Sequence, residues 1–126
     1  FKEILCNSEA VQRATHVIFT SGELAYDLEK AFPNAAIIRL EQLCPFPRDA
    51  IKKLQIGNKA VMYCQPEPEN MGGLSFVVPR LESALGRKVL TASRRASGPP
   101  ATGYSGQHVR ETEELFDRVR RFLANQ

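Results

Sequence analysis

The sequence predicts an α/β domain of three layers, a mainly parallel sheet with helices on both faces. Three observations predict it. Short apolar runs of strand length alternate with segments whose apolar residues fall at helical spacing. The runs are apolar on both sides of their zigzag, the pattern of strands covered from above and below. The chain has 126 residues, 43% of them hydrophobic and 25% charged, which suits one domain with its own core.

The elements follow in order. Residues 1–14 carry little pattern and are expected to be a linker or an edge segment from a preceding domain; the α/β domain is expected over 15–126. HVIFT (16–20) is rich in branched and aromatic residues and stops at Ser21-Gly22, so it reads as a buried strand. Leu24, Leu28 and Ala31 predict a helix over 23–32 that Pro33-Asn34 ends. AAIIRL (35–40) is the next strand. Cys44-Pro45-Phe46-Pro47 is a stiff connection, because each proline fixes its own φ and pushes its predecessor out of the helical region. Pro47 can open a helix to about Leu54, with Ile51 and Leu54 inward. AVMYC (60–64) is a third strand and 74–85 a third helix, which Pro79 is expected to bend and not break. KVLTA (88–92) is a fourth strand, whose direction the alternation leaves open. A Gly-, Pro- and Ser-rich loop over 93–106 leads to a long amphipathic helix over 107–124, carried by Val109, Leu115, Phe116, Val119, Phe122 and Leu123.

Composition narrows the function classes. A net charge of +3 gives no basis for a nucleic-acid or membrane partner. No apolar run approaches the ~18 residues that span a bilayer. The chain opens at Phe1 with no apolar leader segment, so a fragment or a processed product is expected. Cys6, Cys44 and Cys64 have no CxxC spacing and there are two histidines, so zinc is not expected and reduced thiols are the simplest reading.

Ligands of open α/β sheets collect beyond the carboxyl ends of the strands. Thr20 and Ser21 place hydroxyls beside a helix N-terminus, whose free N–H groups favour negative charge. Arg94 and Arg95 supply guanidinium forks for phosphate. Gln65 is placed to read a base or ribose edge. Together Thr20, Ser21, Gln65, Arg94 and Arg95 form a candidate site for an anionic group. Plainer readings stand beside it: Thr20-Ser21-Gly22 also makes a helix cap and turn, and Arg94-Arg95 a solvated pair. Glu67 and Glu69, at alternate positions of a Pro-flanked turn, fit a structural role better than an acid/base pair. His16 and Cys64 read as structural, and His108 as a cap or interface residue. The sequence has no P-loop, GxSxG or HExxH motif.

Three segments carry a resemblance to a known family. IIRLEQLCPFPRDAI (37–51), CQPEPENMGGLSFVVPRLESALGRKV (64–89) and SRRASGPPATGYSGQH (93–108) resemble, in this order, the C-terminal domain of the E1 component of 2-oxoglutarate dehydrogenase. TSGELAYDL (20–28) is similar to the family's first strand-to-helix corner. The resemblance implies a transketolase C-terminal-like fold. It implies a parent enzyme that decarboxylates 2-oxoglutarate on thiamine diphosphate with Mg2+ and passes the succinyl group to a lipoyl arm of E2. It places cofactor and catalytic residues in upstream domains, so no catalytic, cofactor or metal residue is expected in this chain and the piece alone is expected to be inactive. Upstream domains of the same chain, a homodimer and E2 are the implied partners, in the mitochondrial matrix of a eukaryote or the cytoplasm of a bacterium. Related bacterial enzymes bind AMP or acetyl-CoA against this domain, and Thr20, Gln65, Arg94 and Arg95 match the nucleotide-facing positions. Two departures stand out. The corner usually reads Ser-Gly-Lys and here is Ser21-Gly22-Glu23, which opposes phosphate; and Pro66 replaces the first Glu of a Gln-Glu-Glu-Pro turn. The alternatives are the same domain of 2-oxoadipate dehydrogenase E1 or of a multifunctional 2-oxoglutarate decarboxylase, and a free-standing nucleotide-binding regulatory module.

Overall fold

The computed structural model describes residues 3–68, 71–94 and 105–125, without the side chains of 68, 94 and 105–111. Ten elements follow one another: β1 (Ile4–Leu5), α1 (Ser8–Arg13), β2 (His16–Thr20), α2 (Leu24–Ala31), β3 (Ala36–Leu40), α3 (Arg48–Lys53), β4 (Ala60–Pro68), α4 (Leu74–Leu85), β5 (Leu90–Arg94) and α5 (Ser105–Ala124). The strands form one sheet in the order β1-β3-β2-β4-β5. Strands β3, β2, β4 and β5 are parallel, with Ile18 beside Ile37 and Met62, and Met62 beside Leu90. Strand β5, whose direction the alternation left open, is thus parallel. Among the described strands only β1 runs antiparallel, with Leu5 opposite Arg39.

Strand alternation divides the core in two, because successive side chains point to opposite faces. Val17, Phe19, Ile38, Val61 and Tyr63 face one side, where Val11 of α1, Ile51 of α3 and Val77, Leu81 and Ala84 of α4 cover them. Ile18, Ile37, Met62, Cys64 and Ala92 face the other, under Leu24, Ala25 and Leu28 of α2 and Leu115, Val119 and Phe122 of α5. The three-layer α/β arrangement expected from the sequence is present.

Ahead of position 15 the described residues include β1 and α1. The Asn7 side chain caps α1 by accepting from Glu9 N at 3.0 Å and Ala10 N at 3.2 Å. The Lys59 ammonium meets Ala14 O at 2.9 Å and Gln12 O at 3.2 Å, closing the other end. Helix α3 starts one residue later than the spacing predicts, with Pro47 as its N-cap. Helix α4 runs through Pro79, which lies on the solvent side with Ser75 four residues before it, so water can reach the carbonyl that the missing N–H leaves free. Gly86, at φ 70°, ends α4 with its N–H on Glu82 O at 2.8 Å. His16 ties the end of α5 to the sheet. Its Nε2 donates to Asn125 O at 2.5 Å and its Nδ1 meets Thr15 Oγ1 at 2.7 Å, while its ring stands edge-on to Phe122.

Candidate functional site

Chain order places the candidate site. From β2 the chain steps to β3 on one side, and from β3 it crosses to β4 on the other side of β2. The direction reverses between β2 and β4, and the carboxyl ends of such a strand pair diverge into a crevice. A cleft of about 450 Å3 lies there. Ser21, Gly22, Glu23, Leu24 and Asp27 line it from the β2–α2 corner, Pro66 and Glu67 from the end of β4, and Thr112 and Leu115 from α5.

Of the five residues predicted for the site, only Ser21 lines this cleft among the described side chains. Thr20 is 0% exposed, and its hydroxyl has no hydrogen-bond partner among the described residues. Gln65 is 1% exposed. Its Nε2 donates to Met71 O at 2.8 Å and to Glu67 O at 3.3 Å, so the amide holds the turn after β4. The backbone of Arg94 ends β5 beside Pro68. The side chain of Arg94 and all of Arg95 lie outside the described residues.

The turn after β4 explains its glycines. Gly72 sits at φ 70°, a region costly for residues with a Cβ. A Cβ there would stand 2.9 Å from both Gln65 Oε1 and Glu67 Oε1. One at Gly73, the N-cap of α4, would stand 3.3 Å from the Tyr63 hydroxyl. The start of α4 therefore rests directly on the polar ends of β4 side chains. Glu69 and Asn70, expected to shape the same turn with Glu67 and Pro68, lie outside the described residues.

Tyr63, fully buried, is the member of this region that sequence reasoning passed over. Burial pushes its hydroxyl pKa up, a hydrogen bond with Ser21 opposes the rise, and the nearby Glu67 adds to it. The signal was available: a tyrosine inside an apolar strand needs a partner for its O–H. Tyr63 thus joins the cleft wall at Ser21 to the first residue of the α4 cap. Asp27 was also missed, because a helix face shows in a sequence while its neighbours across the sheet do not.

The electrostatics of the cleft oppose an anion. Glu23, Asp27 and Glu67 line it, and no Lys or Arg does among the described residues. Burial pushes the Cys64 thiol up to about 12, which keeps it protonated and inert at neutral pH. Among the described residues no group of three or more His, Cys, Asp or Glu side chains converges to hold a metal.

The comparisons with known proteins agree on the chain's origin. Residues 1–119 match the model of the family described as 2-oxoglutarate dehydrogenase C-terminal. The chain belongs to that 2-oxoglutarate dehydrogenase C-terminal family. Its α/β sheet is accordingly of the transketolase C-terminal type that the resemblance implies. The 2-oxoadipate dehydrogenase complex component E1 of Danio rerio is 38% identical over 120 residues, 87% of this chain and 13% of that protein. A probable 2-oxoadipate dehydrogenase complex component E1 homolog of Caenorhabditis elegans is 37% identical over 117 residues, 86% of this chain and 13% of that protein. The mitochondrial 2-oxoglutarate dehydrogenase of the same worm is 35% identical over 114 residues, 82% of this chain and 11% of that protein. The chain therefore spans about an eighth of the length of these relatives.

Proposed function

We propose that this chain is the C-terminal structural and assembly domain of an E1 component that decarboxylates 2-oxoglutarate or 2-oxoadipate. The match of residues 1–119 to the family carries the reading. In the full polypeptide the acyl product passes to a lipoyl arm of the E2 partner. Thiamine diphosphate and Mg2+ enter the proposal through the family alone, and the residues of this domain supply no step of the chemistry. A homodimer is proposed through the family alone, and the mitochondrial matrix because the worm 2-oxoglutarate dehydrogenase is called mitochondrial.

Nucleotide regulation is the second reading. It would draw on Thr20, Ser21, Gln65, Arg94 and Arg95, with AMP or acetyl-CoA as effector. The acid-lined cleft argues for weak binding, because Glu23 and Glu67 repel phosphate in the crevice where Ser21 would receive it. A structural role is the better supported of the two.

The test uses the full-length chain with thiamine diphosphate and Mg2+. Turnover of one or both keto acids is expected, lost on deletion of residues 1–126 through failed assembly. No turnover of either acid by a folded, cofactor-loaded enzyme overturns the proposal. Calorimetry with AMP and acetyl-CoA should give no saturable heat at micromolar ligand; tight binding of either would promote the regulatory reading.

A further inference from the structure

Leu5 and Tyr26 are 39% and 57% exposed, and both line one groove on the α2 side of the β1 edge. The groove measures about 430 Å3 and is completed by Cys6, Asn7, Ala25, Glu29 and Arg39. Its aromatic residue is held in place. Arg39 Nη1 donates to the Tyr26 hydroxyl at 2.8 Å, and the guanidinium lies 5.1 Å from the centre of the ring. Arg39 is in turn paired with Glu41 at 3.1 Å and stands opposite Leu5 across the β1–β3 ladder. A fixed, half-exposed tyrosine beside exposed leucine has the make-up of an interface anchor, because little rotamer freedom remains to be lost on docking.

We propose that the groove seats the preceding part of the same polypeptide. The inference rests on the function proposed above. On that reading roughly seven-eighths of the protein precedes this domain, as the 13% share of the Danio rerio relative implies. That part would join just ahead of β1, whose Leu5 forms one wall of the groove. Tethering at the rim gives the docking segment a high effective concentration. Arg39 is already neutralised by Glu41, and the exposed Glu29 stays on the groove wall, so the surface asks for a mainly apolar segment with a hydrogen-bond acceptor for Tyr26 or Arg39, not for an acidic one.

The test places the photo-crosslinking residue p-benzoylphenylalanine at position 26 of the full-length chain, with position 90 as a comparison, Leu90 being 57% exposed on the opposite edge of the sheet. Position 26 should cross-link within its own polypeptide to residues upstream of Phe1. In a second arm, the Leu5→Lys/Tyr26→Lys variant should raise protease nicking at the junction on the order of ten-fold, the scale of one lost anchor. A long gene product with no upstream cross-link from position 26, or with cross-links only between copies, overturns the inference and leaves the proposed function standing. A gene encoding nothing upstream refutes both together.

Discussion

Gly72 concentrates the constraints on the turn after β4. Its φ of 70° and the 2.9 Å approach of two side-chain oxygens act on the same Cβ position. Gly72→Ala should therefore destabilise the domain by about 1–3 kcal/mol, the cost of a side chain in that backbone region, measured by urea unfolding. Gln65→Leu keeps the volume but removes both donors from Met71 O and Glu67 O, and a loss of about 1–3 kcal/mol is expected in the same assay. Cys64 gives the pH dependence. Its thiol stays protonated in the fold up to about 12, against an ordinary value of 9.0. Between these two values the unfolded chain releases its proton and the fold keeps it, so stability is complete below the lower value and falls as pH rises through the window. The slope should approach about 1.4 kcal/mol per pH unit. Cys64→Ala should remove this contribution and leave that of buried Tyr63, whose pKa is also raised above its ordinary 10.0; a Cys64→Ala limb as steep as wild type would remove Cys64 as a cause.

Helix α4 shows how sequence and surroundings share the work of making an element. Val77, Leu81 and Ala84 give it an inward stripe, and Gly86 stops it. Pro79 costs a helix interior about 3 kcal/mol relative to alanine, but it sits on the solvent side. Part of that cost returns through the stiffer unfolded chain. Pro79→Ala should raise the stability by about 1–2 kcal/mol, visible as a higher Tm; a drop would mean that the proline itself helps position the Gly73 end of α4. The elements that could be read from the sequence share this balance. Strand β2 was legible as an unbroken apolar run of strand length, and helix α4 because its apolar pattern runs long enough to carry a period. Helix α1 was not, since six residues bury only Val11. Its evidence was the Asn7 cap, a signal too common to stand without a stripe behind it. Strand β1 has two residues and exists only because β3 offers it an edge, a fact that no local pattern contains.

The molecule as a whole explains why the site was harder to read than the fold. Thr20 was placed correctly at the end of its strand, while β4 runs on past Gln65 to Pro68; both residues turned out buried, because the faces they take depend on strand alternation and on the turn closing over Gly72. The switch between β2 and β4 could be located only once the strand order was known. The same order makes α5 indispensable. Leu115, Val119 and Phe122 cover one face of the sheet with α2, while His16 and Ser93 O hold α5 through Asn125 O and Arg118. Three large side chains at about 1.5–3 kcal/mol each amount to roughly 5–9 kcal/mol, the scale of a domain's whole stability. A chain ending at residue 104 should therefore lose its cooperative unfolding transition. Cys64, beneath α5, reports the same event chemically. In the intact chain the exposed Cys6 and Cys44 should react with a thiol reagent and the buried Cys64 should not. In the shortened chain Cys64 should react as they do, because the face that excluded water has lost its cover. A Cys64 that stays protected would show that α2 alone closes this side of the sheet.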